Sequence, residues 1–257
     1  MLRLRQLALV AEQLAPVVDG LGDVFGLAVA FRDPGVATFG LENAVLPVGS
    51  QFIEVVAPTR EGTAGGRYLE RRGGDGGYMV ILQCDDHAPR KARVDELGVR
   101  KVVEHDEPGY RIMQLHPQDT RGSFLEVDVQ IGGEELDGPW VPAGPAWQQA
   151  RRTERVAGIA AAEIQSPEPD AVAARWSELL DVAVEADADG HPTLALDNAT
   201  IRFVDATDGR GEGLGGIDLV AVDPAAVLAA ADERGARLDD DTEAVLLGGV
   251  RFRLVDG

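Results

Sequence analysis

One order of elements recurs four times along the chain, and it limits the fold more than any bulk property does. Gln6-Leu7-Ala8-Leu9-Val10-Ala11 reads as a short apolar strand, followed by an amphipathic stretch from Leu14 to Leu21 and then Gly22. Tyr78 to Cys84 reads the same way, with Asp85-Asp86, a helix through Leu97 and then Gly98. Val156 to Ile164 is a third such strand, and Ser166-Pro167-Glu168-Pro169 opens a helix ending near Leu180. Ile217 to Val222 is a fourth, and Asp223-Pro224 opens a helix that stops at Arg234-Gly235. Serine or aspartate beside proline suits a helix start, because the side-chain oxygen accepts from a free N–H and proline has none to satisfy. Each helix leads into further strands that close on residues 51–56, 123–128, 200–204 and 250–255. The second and fourth copies match best, with glycine runs at 73–77 and 211–216 just ahead of the strand. A strand, a helix and two or three more strands, repeated in register, predict an α+β chain.

The length of 257 residues allows one large domain or two small ones, and 45% hydrophobic with 26% charged residues is a globular composition. Between the halves, residues 131–153 hold Gly132-Gly133, Pro139, Pro142 and Pro145 together with Trp140 and Trp147. That segment reads as a connector pinned by its tryptophans to a domain surface, joining a domain of residues 1–130 to one of residues 154–257. With 44 acidic against 24 basic side chains, the net charge of −20 argues against nucleic acid or an anionic membrane as partner. The single Cys84 excludes an intrachain disulfide and a cysteine zinc cage. Neither a signal-peptide order nor an apolar run of membrane length is present, so the expected location is cytoplasmic.

The fourfold βαβββ pattern resembles the vicinal oxygen chelate superfamily, which includes glyoxalases, extradiol dioxygenases, methylmalonyl-CoA epimerases and bleomycin-resistance proteins. Gly40 to Pro47, Phe52 to Pro58, Arg67 to Met79 and Leu115 to Asp119 resemble its glyoxalase-like branch. The resemblance implies two tandem modules, each a pair of βαβββ units whose curled mixed sheet forms an open cup. It also implies a metal centre built from one residue on each of four strands. Here those positions are Gln6, Glu54, Met79 and Glu126, and in the second module Ile159, Arg202, Ile217 and Arg253.

Strand alternation supports the two glutamates, since Phe52, Glu54 and Val56 share one face, as do Phe124, Glu126 and Asp128. A carboxylate in an apolar strand needs water, a cation or a donor. Gln6, Glu54 and Glu126 offer three oxygen donors to a divalent metal ion completed by water, although Met79 brings a soft sulfur where metal-using members place histidine. Without a metal, the same carboxylates bind a substrate donor or are solvated. In the second module no cation suits Arg202 and Arg253; they either bind an anion or pair with acidic neighbours.

Four more residues face this first cup or its rim in the expected arrangement. His116 precedes Pro117 in a turn, where it serves as acid or base, or fixes the turn. Gln83 shares Met79's face and Asn43 lies on a strand among apolar residues, so each is a substrate contact or a satisfied core amide. Tyr110 closes one side, whereas Tyr78 is expected on the opposite face of its strand. No role falls to His87, His105 or His191, and the acidic run at 239–241 reads as a solvated turn. Two functions follow. One is a lyase, isomerase or epimerase acting on a small oxygen-bearing molecule, with Glu54, Glu126 and His116 as its catalytic candidates and Asn43, Met79, Gln83 and Tyr110 as substrate contacts. The other is a metal-free protein that binds or sequesters a small molecule. Monomer and homodimer both remain open.

Overall fold

The computed structural model describes residues 1–238 and 241–257, so the acidic run expected as a turn falls, at Asp239 and Asp240, outside the described residues. The first half runs β1 (Leu2–Val10), α1 (Leu14–Phe25), β2 (Leu41–Val48), β3 (Gln51–Pro58), α2 (Ala64–Arg72), β4 (Gly76–Cys84) and α3 (Ala88–Glu96). It continues with β5 (Lys101–Glu107), β6 (Tyr110–Leu115), α4 (Pro117–Thr120) and β7 (Phe124–Gln130). The second half runs β8 (Val156–Ser166), α5 (Pro169–Leu180), β9 (Val184–Ala186), β10 (Pro192–Ala195) and β11 (Thr200–Asp205). Then come β12 (Gly213–Ala221), α6 (Pro224–Arg234), β13 (Arg237–Leu238), β14 (Asp241–Leu247) and β15 (Val250–Val255).

The strands form two mixed sheets, ordered β2-β3-β1-β4-β7-β6-β5 and β13-β14-β15-β12-β8-β11-β10-β9. In each, the first strands of two units pair antiparallel at the centre, and each of them pairs parallel with its own unit's last strand. The chain is therefore α+β with two tandem modules, as the repeat implies. Helix starts follow the local chemistry: the Asp223 side chain accepts from Ala226 N–H ahead of Pro224, and Thr63 accepts from Gly66 N–H.

Convex faces of the two sheets share one core. Leu4, Leu7, Leu9, Val80 and Leu82 of the first pack with Ile159, Ala162, Ile164, Ile217 and Leu219 of the second, and with α1, α5 and α6. The sheets approach closely at Gly77, where a Cβ would lie 2.2 Å from the carbonyl oxygen of Leu214, so any side chain there would force them apart. No helix of the described residues is long and apolar enough to cross a membrane.

Single-residue bulges decide what the concave faces carry. Between β1 and β4 the register steps from Leu4–Leu82 to Gln6–Ile81, and later from Ala8–Met79 to Leu9–Gly77. Arg5 and Tyr78 are the extra residues, so Arg5 joins Gln6, and Tyr78 joins Met79, on the same face. Tyr78 thus packs on the cup side with Met79, against the expectation from simple alternation. The same device recurs between β8 and β12, with Ala160 and Gly215 as the extra residues. There the bulges turn Ile159 and Ile217 into the shared core, and the second cup instead presents Ala161 and Gly216 at those places, together with Glu163 and Asp218. The equivalence of Arg202 and Arg253 to Glu54 and Glu126 holds in the register, because Arg202 pairs with Glu163 as Glu54 pairs with Ala8. Likewise Arg253 pairs with Asp218 as Glu126 pairs with Ile81.

Candidate functional site

Residues 132–150 fold back across the first cup rather than along a domain surface. Arg3 donates to the carbonyls of Gly133, Glu134 and Glu135, Arg5 to those of Ser50, Leu136 and Gly138, and Gln83 Nε2 to Gly133. Arg5 is fully buried over the faces of Phe52, Trp140 and Trp147, and burial lowers its pKa to about 9. Gln83 lies on the cup side but is sealed, its carbonyl taken by Arg3 and its amide by the connector. It anchors the strap instead of facing a ligand.

Within the cup, Gln6, Glu54, Met79 and Glu126 converge. Trp140 Nε1 donates to Gln6 Oε1 at 2.8 Å, and an indole has only a donor, so the Gln6 amide must turn its Nε2 toward Glu54, 2.9 Å away. Asn43 is set the same way: its Oδ1 accepts from Asp33 N–H at 2.7 Å, and its Nδ2 reaches the other Glu54 oxygen at 2.6 Å. Two locked amides therefore clamp a half-buried carboxylate. Across the cup, Gln114 Nε2 donates to Glu126 at 2.9 Å and touches Met79 Sδ at 3.4 Å. Tyr110 donates to Asp128 at 2.5 Å and stacks edge-on against Trp140 at 5.5 Å between centroids. Tyr78, Tyr68 and Phe124 form an aromatic wall, with Tyr78 5.0 Å from each of the other two rings.

The acids share a common electrostatic fate. Burial raises Glu54 to about 7; the amide hydrogen bonds oppose that rise and the charge on Glu126 adds to it. Burial also raises Glu126, and burial together with the Glu126 charge pushes Asp128 well above the usual carboxylate range. The buried Oδ1 of Asp128 has no partner among the described residues.

His116 does not join this group. It occupies the N-cap of α4, where its Nδ1 accepts from Gln118 N–H at 3.2 Å, so its turn-fixing role accounts for the side chain. Sequence reasoning passed over Gln114, Asp128 and the entry of Trp140. Asp128 shares a strand face with Glu126, and that was the available signal.

The donor set does not suit a divalent cation as it stands. Gln6 shows Glu54 an N–H instead of an oxygen, both Glu54 oxygens already accept amide hydrogens, and Met79 is soft. Among the described residues, Asp187, Asp189 and His191 do gather donors within 4.8 Å. That group sits at the β9–β10 turn, where one Asp187 oxygen already accepts the N–H groups of Asp189 and His191.

Two tandem modules with curled mixed sheets and a polar cup define the class of protein. Residues 7–180 match the glyoxalase-like domain family, and the chain belongs to it, in keeping with the vicinal oxygen chelate resemblance. A hypothetical protein from Staphylococcus aureus shares the fold over 100% of both chains, with a TM-score of 0.67 at 13% identity. A methylmalonyl-CoA epimerase from Streptomyces coelicolor, in complex with 2-nitronate-propionyl-CoA, aligns at 23% identity over 50% of this chain and 96% of its own, with a TM-score of 0.45. The Mycobacterium tuberculosis methylmalonyl-CoA epimerase aligns at 21% over 55% and 91%, with a TM-score of 0.44. Among curated proteins no sequence matches.

Trp140→Phe keeps most of the packing but strips the buried Gln6 carbonyl of its donor, and is expected to cost about 1–3 kcal/mol in urea denaturation. The pH dependence has a definite sign. Glu54 binds its proton up to about 7 in the folded chain and only to the ordinary 4.5 when unfolded, so the folded state holds more protons between those values. Its contribution therefore makes the fold less stable as pH rises from about 4.5 through 7. Glu126 and Asp128 act in the same direction. Denaturation at pH 5 and 8 should show the drop, and Glu54→Gln should reduce it.

Proposed function

We propose that the first cup transfers protons on a small oxygen-bearing molecule, as a lyase, isomerase or epimerase, in a cytoplasmic monomer or homodimer. The supporting observation is the placing of Glu54, clamped by Gln6 and Asn43 and raised to about 7 by burial, in the same cup as Glu126 and Asp128, both of which burial also raises. A base whose pKa lies near the working pH balances availability against driving force. In this reading Glu54 removes a proton from carbon beside a carbonyl, using a lone pair that the amides leave free. The Glu126–Asp128 pair gives a hydrogen bond to the enolate oxygen that forms, and the proton returns to carbon from Glu54 or to a different position in the product. Amide clamps fix the carboxylate plane, while Tyr78, Phe124 and Met79 give the substrate an apolar wall.

The other reading, a binder without chemistry, draws on Trp140, which covers the cup and occupies the Gln6 carbonyl. Incubation in D2O with a panel of small carbonyl compounds bearing an adjacent C–H, followed by proton NMR, separates the two. The proposal expects enzyme-dependent loss of that C–H signal for at least one compound. Saturable binding of a panel member without exchange would favour the binder.

A further inference from the structure

The second cup carries the first cup's charges inverted and rearranged. Arginines stand where Glu54 and Glu126 stand in the first, and the acids have moved to the central strands as Glu163 and Asp218. Every oxygen of those two acids is taken by guanidinium N–H. Glu163 accepts from Arg202 and Arg251, and Asp218 accepts from Arg202 and Arg253 through both oxygens. Among the described residues the three guanidiniums and two carboxylates leave one positive charge in excess, on a chain of net charge −20.

The excess faces open space. A cavity of about 80 Å³ is lined by Glu163, Gly216, Asp218, Ala244, Arg251 and Arg253. Arg202 is 10% exposed and fully engaged, but Arg251 and Arg253 are 31% and 43% exposed. Alternate residues of one strand, they point to the same face. Among the described residues, Nε and Nη1 of Arg251 and Nη1 of Arg253 have no acceptor. Gly216 makes the room: a Cβ there would stand 2.8 Å from Glu163 Oε1 and push that side chain off Arg251.

We propose that this second cup binds a small oxyanion, a carboxylate or an inorganic phosphate, between Arg251 and Arg253. The Nε and Nη1 of Arg251 and the Nη1 of Arg253 offer separate N–H donors to two or three oxygens of one ligand, and its negative charge offsets the surplus guanidinium charge. The acids behind them keep the guanidiniums in place without competing for the ligand, because their own oxygens are already saturated.

Calorimetric titration of the whole protein in chloride buffer, with sodium phosphate and separately with sodium acetate, tests this. Saturable binding of one ion per chain is expected for at least one of the two. The arm that binds identifies the oxyanion. Arg251→Gln should weaken that binding by roughly tenfold or more, and Arg67→Gln, at an exposed site on α2, should leave it unchanged. Should Arg251→Gln fail to fold, the guanidinium ¹⁵N resonances of the wild-type protein give the same answer: those of Arg251 and Arg253 must shift on titration. No saturable binding of either ion, unchanged binding by Arg251→Gln, or unmoved Arg251 and Arg253 resonances would overturn the proposal.

Discussion

Replacing Asp218 by alanine is expected to destabilise the chain by about 3–5 kcal/mol, because it leaves buried guanidinium charge uncompensated. Asp218 is 5% exposed and holds two arginines at once, Arg202 at 2.8 Å and Arg253 at 2.9 Å. Burial would raise its pKa, yet the hydrogen bonds from Arg202 and Arg253 outweigh that and hold it below the ordinary value. Glu163 stands in the same balance, with Arg202 and Arg251 against its burial. Both acids therefore favour the folded state above the usual carboxylate pKa and lose that contribution in acid, opposite in sign to the acids of the first cup. Urea denaturation at pH 7 measures the loss. In the double variant Asp218→Ala/Arg253→Ala part of it should return, since one of the stranded charges is gone. A loss within about 0.5 kcal/mol for the single variant would mean that the second cup is solvated enough to do without the pair.

Glu54→Gln is expected to lower the rate of any exchange reaction found by about 10²–10⁴-fold. The substitution removes the base, and it also misfits its clamp. Gln6 is locked by Trp140 and Asn43 by Asp33, so both present N–H groups to position 54, where glutamine has one oxygen and one NH2 to offer. Glu54→Asp keeps the charge but draws it back from the amides, and it should retain part of the rate with a shifted pH profile. That split separates a base from a merely structural carboxylate, which would leave the profile of the residual activity unmoved. Rates unaffected by Glu54→Gln would remove Glu54 from the chemistry.

Much of the fold was legible because each unit announces itself locally. Apolar strand, capped helix and closing strand are short-range patterns, and all four central strands and four main helices fall where these patterns put them. Glu54 and Glu126 were legible for the same reason, as acidic residues set between apolar neighbours in short strands. The faces of Ile159, Ile217 and Tyr78 were not. A bulge is one extra residue with no compositional mark, and Arg5, Tyr78, Ala160 and Gly215 each reverse the alternation that follows them. Nor was the fate of Trp140 legible, since its partner Gln6 lies 134 residues earlier and only the folded sheet brings them together. Asp128 stood on the same strand face as Glu126, yet nothing local showed that Tyr110, across an antiparallel hairpin, would hold it. The inverted second cup was half visible: its arginines could be read from the repeat, and their acidic partners needed the true register.

Glu54 stands half-buried between two amide donors, with burial raising its pKa to about 7. A pH titration of protein carrying ¹³C at the glutamate side-chain carboxyls, in wild type and Glu54→Gln, tests it most directly. One resonance with a midpoint of about 7 is expected in wild type and absent from the variant. A set of glutamates that all titrate in the ordinary range near about 4.3 would contradict it.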